Sequence, residues 1–147
     1  MSIADAGKVL MDTGFFVAMR NIDDDYHESA VDTFEMLRRN GKHLVTSDYV
    51  LDEAVTVTWA RTKNKREAIE VGKLILGSTH VSIDWTDETL VRSAFELLQK
   101  YEDKSFSFTD CLLLALAKRN GIPTIVTCED EFEKIGDGPE VIRLKKG

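Results

Sequence analysis

The stretch "SFTDCLLLALAKRNGIPTIVT", Ser107 to Thr127, carries the strongest structural signal in the chain. Its first part, Ser107 to Asn120, is apolar nearly all round, which predicts a helix buried in the centre of the protein. Gly121 ends that helix, and "PTIVT" then has the composition of a short buried strand. A buried helix followed directly by a buried strand is typical of layered α/β folds.

Short apolar segments alternate with amphipathic ones along the rest of the chain. The other predicted strands are "KVLMD" (Lys8 to Asp12), "HLVTS" (His43 to Ser47), "HVSID" (His80 to Asp84) and "EVIRL" (Glu140 to Leu144). The other predicted helices cover Phe15 to Arg20, His27 to Arg39, Lys65 to Leu76 and Thr86 to Tyr101. Asp24 or Asp25 is placed to cap the helix that begins at His27. This alternation predicts an α/β layered fold with a short, mainly parallel sheet.

One segment, Val50 to Trp59, fits two kinds of structure. Val55, Val57 and Trp59 alternate with threonines, which is a strand pattern. Leu51, Val55 and Trp59 also fit one helical face, and Ser47 or Asp48 precedes them as a possible cap. We predict a helix here.

The composition predicts one globular domain covering residues 1–147. The chain is 43% hydrophobic and 31% charged, and no apolar run approaches the roughly 20 residues that span a bilayer. The start, "MSIADAGK", lacks the apolar core of a secretory signal. Two cysteines, Cys111 and Cys128, suit small buried positions in a reducing compartment better than a disulfide framework. We therefore expect a soluble, cytoplasmic protein without a membrane segment.

The charge of the chain gives little support to a nucleic-acid substrate. The formal net charge is −7, whereas proteins that bind phosphate backbones usually present a basic surface. Basic residues do gather locally, at "RTKNKR" (Arg61 to Arg66), at Arg38, Arg39 and Lys42, and at "RLKKG" (Arg143 to Gly147). Each group taken separately is also typical of a solvated helix end or tail.

Acidic residues follow the predicted strands at positions where a parallel sheet brings strand ends together. Asp12 ends the first strand, Glu129 to Glu131 follow "PTIVT", and Asp110 lies in the first turn of the buried helix. Ligands of such folds collect in the crevice beyond the carboxyl ends of the strands. Each acid also has an ordinary alternative role: Asp12 as a helix cap, Asp110 as part of a capping box with Ser107, Glu53 as an exposed helix carboxylate and Glu129 as part of a solvated turn.

Carboxylates that converge repel one another unless a cation is present. Hard divalent ions such as Mg²⁺ or Mn²⁺ prefer carboxylate oxygens, and such ions assist phosphodiester hydrolysis. The sequence contains neither G-x-S-x-G nor G-x-x-x-x-G-K. A phosphatase of the haloacid dehalogenase type would need a second Asp at position 14, where this chain has Gly14.

The sequence resembles the PIN-domain family and is most similar to the toxin ribonucleases of VapBC-type toxin–antitoxin pairs. The resemblance covers almost the whole chain and rests on these stretches: "VLMDTGFFVAMRNIDDDYHESA", "YVLDEAVT", "SFTDCLLLALAKRNGIPTIVT" and "EDEFEKI". It implies a three-layer α/β/α fold with a parallel sheet. It also implies cleavage of RNA with Mg²⁺ or Mn²⁺ held by acids, giving 5′-phosphate and 3′-hydroxyl products.

Carried over residue by residue, the resemblance assigns the family's acids to Asp12, Glu53 and Asp110. The last family motif is Thr, any residue, Asp, two residues and Phe. Thr127 and Phe132 match it, so Glu129 stands where Asp is expected, and Asp130 is the runner-up. The resemblance implies that Asp12, Asp110 and Glu129 hold metal, with Glu53 as a ligand or as the residue that orients the attacking water.

The family also suggests supporting residues and partners. Thr13, Thr109 and Thr127 are candidate hydrogen-bond donors to the carboxylates, although each also suits an ordinary cap or turn. His27 matches a family position, where a packing role is expected, and Asp52 is expected to point away from the site. The resemblance implies an RNA substrate, a cognate antitoxin and a homodimer.

Two other functions fit parts of the sequence. A receiver-like signalling module would bind Mg²⁺ and accept a phosphoryl group on Asp48, which follows "HLVTS". A PIN-like module could instead bind RNA or protein without catalysis, because Glu129 departs from the family's Asp.

Overall fold

A computed structural model of the protein describes residues 7–147, so the expectation about the beginning of the chain lies largely outside the described residues. The α-helices are α1 (Thr13–Arg20), α2 (His27–Arg39), α3 (Asp48–Thr62), α4 (Lys65–Gly77), α5 (Glu88–Lys100) and α6 (Phe108–Asn120). The strands are β1 (Lys8–Met11), β2 (His43–Ser47), β3 (Val81–Asp84), β4 (Thr124–Thr127) and β5 (Glu140–Arg143), and a short 3₁₀ helix covers Glu131–Lys134. No helix within this part of the chain combines the length and the apolar character needed to cross a membrane.

The five strands form one sheet in the order β3-β2-β1-β4-β5, and every neighbouring pair is parallel. On one side α1 packs against α2, α3 and α4, while α5 packs against α6. Crossovers between parallel strands are right-handed. The helices that connect β1 to β2 and β2 to β3 therefore cover one face of the sheet, and α5 and α6, which connect β3 to β4, cover the other. The predicted three-layer α/β/α fold is confirmed.

The core centres on α6, as its sequence predicts. Nine of its residues, Thr109 through Ala117, are buried, and Leu112, Leu113 and Leu116 have no exposed surface. Burial of a leucine side chain contributes about 1.5–3 kcal/mol. The helix begins with a capping box between Ser107 and Asp110 and ends at Gly121, whose φ of 63° is left-handed.

The ambiguous segment is helical, as predicted, because α3 runs continuously through Val50 to Trp59. The side chain of Ser47 accepts a hydrogen bond from the amide of Tyr49 and caps the helix. The buried residues of this helix, Val50, Ala54 and Thr58, are four residues apart. Packing of this helical face against the core therefore overrides the strand preference of the alternating Val and Thr residues.

Two local predictions about helix starts need correction. The cap of α2 is Tyr26, which makes no side-chain capping hydrogen bond. Asp24 instead accepts a hydrogen bond from the amide of Tyr26 at 2.8 Å, so it stabilises a turn before the helix. Helix α1 begins at Thr13, two residues earlier than predicted, because Asp12 caps it there.

The topology opens a crevice between β1 and β4. The chain leaves β1 toward β2 on one side and returns through β4 on the other, which is the position where ligands bind in open α/β sheets. Asp12 follows β1, and its amide donates to the carbonyl of Val126 in β4 at 3.0 Å. Phe132 is buried beyond β4 and packs against the ring of Phe106.

A close contact between Gly14 and Cys128 holds the start of α1 against the end of β4. A Cβ atom on Gly14 would lie 2.7 Å from Sγ of Cys128 and 3.4 Å from its Cβ. Only a residue without a side chain fits at this position unless the cysteine moves.

We expect Gly14→Ala to destabilise the protein by about 1–3 kcal/mol through overpacking. The same substitution in a Cys128→Ala background should be neutral or stabilising, since the sulfur is gone. Gly77→Ala is the control, because nothing lies within 4 Å of its added Cβ. Urea unfolding measures all variants, and an equal loss in both backgrounds would show that the contact does not matter.

Candidate metal centre

Three acidic side chains from different elements meet at the crevice between β1 and β4. Asp12 follows β1, Asp110 lies in the first turn of α6, and Glu129 follows β4. One carboxylate oxygen of each lies within 4.8 Å of the others. Within residues 7–147 this is the only group of at least three potential metal-ligating side chains with that spacing.

Asp12 serves the helix and the cluster with the same carboxylate. It is 4% exposed. Its Oδ1 atom accepts from the amide of Thr13 at 2.7 Å, and its Oδ2 atom accepts from the hydroxyl of Thr127 at 2.7 Å. The cap and the ligand alternatives are therefore compatible for this residue.

Asp110 is likewise buried and takes part in the capping box of α6. Its Oδ2 atom accepts from the amide of Ser107 at 2.9 Å, and its own amide donates to Oγ of Ser107 at 3.1 Å. The capping box does not use Oδ1. The helix start thus fixes the orientation of the carboxylate while one oxygen remains for the crevice.

Glu129 reaches the cluster from the loop after β4. The residue is exposed as a whole, but its carboxyl group lies beside the two buried acids. Its amide donates to Oγ1 of Thr127 at 3.1 Å. The Thr127 hydroxyl therefore accepts from the backbone of Glu129 and donates to the side chain of Asp12.

The other acids of the sequence prediction lie apart from this cluster. Glu53, on α3, lines the same cleft as Asp12 and Glu129 but is outside the group of three. Asp130, the runner-up, is 3.9 Å from Nζ of Lys134, and Glu131 contacts the same Nζ at 3.0 Å. Asp130 thus precedes the 3₁₀ helix and Glu131 begins it, and both pair with Lys134 of the same helix.

The three candidate threonines differ in what they contact. The hydroxyl of Thr127 donates to Asp12. Thr13 contributes its amide, whereas its buried hydroxyl has no hydrogen-bond partner among the described residues. Thr109 is buried, but none of the hydrogen bonds found in residues 7–147 joins its hydroxyl to an acid. Nδ1 of His27 donates to the carbonyl of Ala18 at 2.7 Å, which is a packing role between α2 and α1.

Burial raises the pKa of all three clustered acids, and repulsion from neighbouring carboxylates, Glu53 among them, raises it further. The pKa of Asp12 rises to about 7, because burial removes its carboxyl group from water and because Asp110 is close. Burial also raises the pKa of Asp110, against the hydrogen bonds from Ser107 that lower it. The pKa of Glu129 rises to about 8 through burial of its carboxyl group and then through Asp110 and Asp12.

This donor set fits a hard divalent cation. A cation would relieve the repulsion, and carboxylate oxygens are the ligands that Mg²⁺ and Mn²⁺ prefer. The nearby thiol of Cys128 stays protonated, because burial and Asp12 raise its pKa to about 12. The unpartnered hydroxyl of Thr13 lines the same cleft and could bind a water molecule there.

The cleft also contains residues that the sequence did not single out as part of the site. Besides Asp12, Glu53 and Glu129, its lining includes Asp24, Tyr26, Arg61 and Cys128. For Arg61 a signal existed in the sequence. Glu53, Val57 and Arg61 are spaced four residues apart, so they lie on one face of α3.

Comparison with known proteins identifies the class. The family model for the PIN domain matches residues 9–138, and the chain belongs to that family. The predicted resemblance is therefore confirmed.

Named relatives come from the VapC group of this family. The chain is 26% identical over 128 residues to the "23S rRNA-specific endonuclease VapC20" of Mycobacterium tuberculosis, covering 87% of this chain and 94% of the relative. It is 28% identical over 128 residues to a "VapC ribonuclease" of Aquifex aeolicus, covering 86% of this chain and 91% of the relative.

Solved structures agree with the fold. The crystal structure of M. tuberculosis VapC20, described as a sarcin-ricin loop cleaving toxin, is similar with a TM-score of 0.70 at 26% identity. That match covers 80% of this chain and 86% of the other. A chain in the structure of VapBC2 from Rickettsia felis, bound to a DNA fragment from their promoter, matches with a TM-score of 0.71. At 18% identity, over 94% of this chain and 99% of the other, it supports the fold alone.

If the acids form one metal site, Mn²⁺ should stabilise the protein against heat. A ligand at 100 times its Kd adds about 2.7 kcal/mol, which corresponds to about 5–10 °C for a chain of this size. Asp12→Asn combined with Asp110→Asn should abolish the shift caused by Mn²⁺, whatever the melting temperature of the metal-free variant. Asp52→Asn, an exposed acid on α3, is the control. An equal shift in the double variant would exclude the shared site.

Without metal, stability should fall as the pH rises. The folded state holds protons on acids with raised pKa values that the unfolded state has already released, so rising pH favours unfolding. For Glu129 this window extends from about 4.5 to about 8. Glu129→Gln should flatten the fall, and Asp130→Asn should not. Urea unfolding in a chelator across this range tests the point, and parallel curves for wild type and Glu129→Gln would contradict it.

Proposed function

We propose that the protein is a metal-dependent endoribonuclease that hydrolyses RNA phosphodiester bonds with Mg²⁺ or Mn²⁺. The observation that carries this proposal is the convergence of Asp12, Asp110 and Glu129 within 4.8 Å at the crevice of the parallel sheet. Membership of the PIN family and similarity to relatives named as ribonucleases support it.

Each acid has a distinct part in the proposed chemistry. When bound, the divalent ion lowers the pKa of water and stabilises charge on the phosphate oxygens. Asp12 and Asp110 hold the ion rigidly, because each is fixed by hydrogen bonds from Thr127 and Ser107 respectively. Glu53, across the cleft, is a further ligand or orients the attacking water as a hydrogen-bond acceptor.

Glu129 completes the cluster less rigidly than an aspartate would. Its side chain is longer by one methylene, and its residue is exposed, unlike the two buried aspartates. Glu129 would therefore be the least rigid of the three groups that hold the ion. The backbone of Glu129 is anchored by the hydroxyl of Thr127, which keeps the carboxyl group near the crevice.

The similarity to VapBC-type toxins extends the proposal to partners. The protein is the toxin of a toxin–antitoxin pair, bound by a small antitoxin, and it forms a homodimer in the cytoplasm. The similarity to the structure of M. tuberculosis VapC20, described as a sarcin-ricin loop cleaving toxin, supports the toxin role. Co-purification with the product of an adjacent short gene tests the antitoxin, and light scattering of the isolated chain tests the dimer.

The two alternative functions are less well supported. Receiver domains use the strand order 2-1-3-4-5, whereas this sheet has the order β3-β2-β1-β4-β5. Asp48, the required phosphoacceptor, already accepts a hydrogen bond from the amide of Thr86 at 3.1 Å. A binding module without catalysis would not need three converging carboxylates, and a cleavage assay distinguishes it directly.

We expect the purified protein to cleave RNA with Mn²⁺ and not with a chelator. Asp110→Asn should keep the fold, because asparagine can still accept the hydrogen bond from Ser107, but it should lower cleavage at least about 100-fold, because the ligand charge is lost. Circular dichroism verifies folding and a labelled RNA verifies cleavage. A folded Asn variant with wild-type activity would make Asp110 a cap and nothing more.

Glu129 and its neighbours provide the matched comparison in the same assay. Glu129→Gln should weaken cleavage at limiting Mn²⁺ far more than Asp130→Asn or Glu131→Gln, since those two acids contact Lys134. If Asp130→Asn is the most damaging of the three, the assignment of Glu129 is wrong.

A further inference from the structure

We propose that single-stranded RNA lies in a groove that extends from Arg61 past the acids and Tyr26 to Lys145 and Lys146. Tyr26 stacks on an unpaired base, and the three cations contact phosphates on either side of the scissile one. This assignment rests on the proposed ribonuclease function and adds the residues that position the RNA.

Two neighbouring clefts form this groove. The cleft of the acid cluster has a volume of about 280 Å³, and a second cleft of about 600 Å³ is lined by Lys145 and Lys146. Tyr26, Cys128 and Glu129 line both. The two clefts therefore adjoin, with Tyr26 and Glu129 on the boundary between them.

Arg61 lies at one end of the groove. It is exposed on the face of α3 that also carries Glu53 and Val57, and all three line the acid cleft. No ion pair or hydrogen bond involves its guanidinium among the residues that the structure describes, although the cleft is acidic. A guanidinium in this position can bind a phosphate oxygen with two parallel hydrogen bonds.

Lys145 and Lys146 lie at the other end, on a segment that is held in place by its backbone. The amide of Leu144 donates to the carbonyl of Thr127 at 2.8 Å, and the amide of Gly147 donates to the carbonyl of Asp25 at 2.9 Å. Between them, the amide of Lys145 donates to Oγ of Ser29 at 3.0 Å. Both lysine side chains are exposed and make no ion pair within the described residues. Arg143 lines the same cleft but is 3.7 Å from Glu133, so we do not assign it to RNA.

Tyr26 is suited to stack on a base at the junction. Its ring is half-buried against the core and lines both clefts, so one part is fixed and another faces the groove. Nζ of Lys146 lies 5.9 Å from the ring centroid. Aromatic rings beside cations form the usual platform for unpaired bases, and stacking contributes about 1–3 kcal/mol per base.

This arrangement explains how a protein with a net charge of −7 can bind RNA. The acids would repel a phosphate backbone, and metal offsets their charge only at the centre of the cleft. Cations at both ends attract the flanking phosphates. Arg38 and Arg39, at the far end of α2, lie about 20 Å along the helix from Tyr26 and do not take part.

The proposal can be tested by RNA binding in an Asp110→Asn background with Mn²⁺, where cleavage is suppressed. The probe is a fluorescein-labelled, unstructured RNA of about 12 nucleotides, followed by fluorescence anisotropy. Arg61→Gln and Lys146→Gln should each weaken binding about four-fold near 0.15 M salt and reduce the slope of log Kd against log salt by about 0.7. Lys118→Gln removes an equal charge from an exposed lysine at the end of α6 and should change neither quantity.

Tyr26 is tested separately, because stacking does not depend on salt. Tyr26→Leu should weaken binding of the single strand at least about five-fold, leave the salt slope unchanged and have no effect on a duplex of the same sequence. Tyr26→Phe keeps the ring and should restore the affinity. In the active protein, Lys146→Gln should raise KM more than it lowers kcat.

The outcomes separate this proposal from the ribonuclease function. If wild type cleaves RNA but Arg61→Gln and Lys146→Gln match the Lys118→Gln control in Kd and slope, the groove is wrong and the function stands. If wild type does not cleave but these variants change binding as expected, the groove stands and the function is wrong. Absence of RNA binding by the Asp110→Asn protein would overturn the groove. Equal loss of single-strand and duplex binding in Tyr26→Leu would overturn stacking.

Discussion

The hydroxyl of Thr127 holds together the part of the protein on which the site depends. It is fully buried between the two central strands, donates to Oδ2 of Asp12 and accepts from the amide of Glu129. One oxygen atom therefore sets the positions of acids that are more than 100 residues apart in the chain. The closeness of Gly14 to Cys128 supports the same junction, because it lets the start of α1 pack directly on the loop after β4. If Asp12 or Glu129 moved, it would lose its hydrogen bond with Thr127 and its position in the acid cluster at the same time.

The same hydrogen bonds that begin two helices also orient the candidate metal ligands. Asp12 caps α1, and Asp110 closes the capping box of α6. Caps contribute about 1 kcal/mol each, and this contribution offsets part of the repulsion between carboxylates that burial brings together. The raised pKa values of Asp12 and Glu129 reflect burial first and then that repulsion. Folding thus fixes the carboxylates in place while their negative charge is not neutralised by the protein. Preorganisation of this kind favours binding of a cation.

The surroundings of the cluster divide the acidic surface into regions with different roles. Asp130 and Glu131 are paired with Lys134 and stabilise the 3₁₀ helix, while Arg61 and Lys146 keep their charges available in the proposed groove. Net charge alone therefore says little about what this protein binds, because acids and cations line the same clefts and exposed charges further apart than the Debye length of about 8–10 Å are screened from one another.

The sequence by itself determined the elements and most of the candidate acids. Hydrophobic periodicity, Gly121 and the Ser107 cap were enough to predict α6, and strand ends marked Asp12 and Glu129, since these signals are local. Two things needed the tertiary structure. The first was the cap of α2, where Tyr26 rather than Asp24 or Asp25 takes the position because the loop before it turns first. The second was which residues lie near the acids. Glu53 is outside the group of three, and Tyr26, Arg61 and Lys146 line the clefts of the proposed groove. Which side chains share a cleft depends on how helices pack on the sheet, and that packing is set by contacts between residues far apart in the chain.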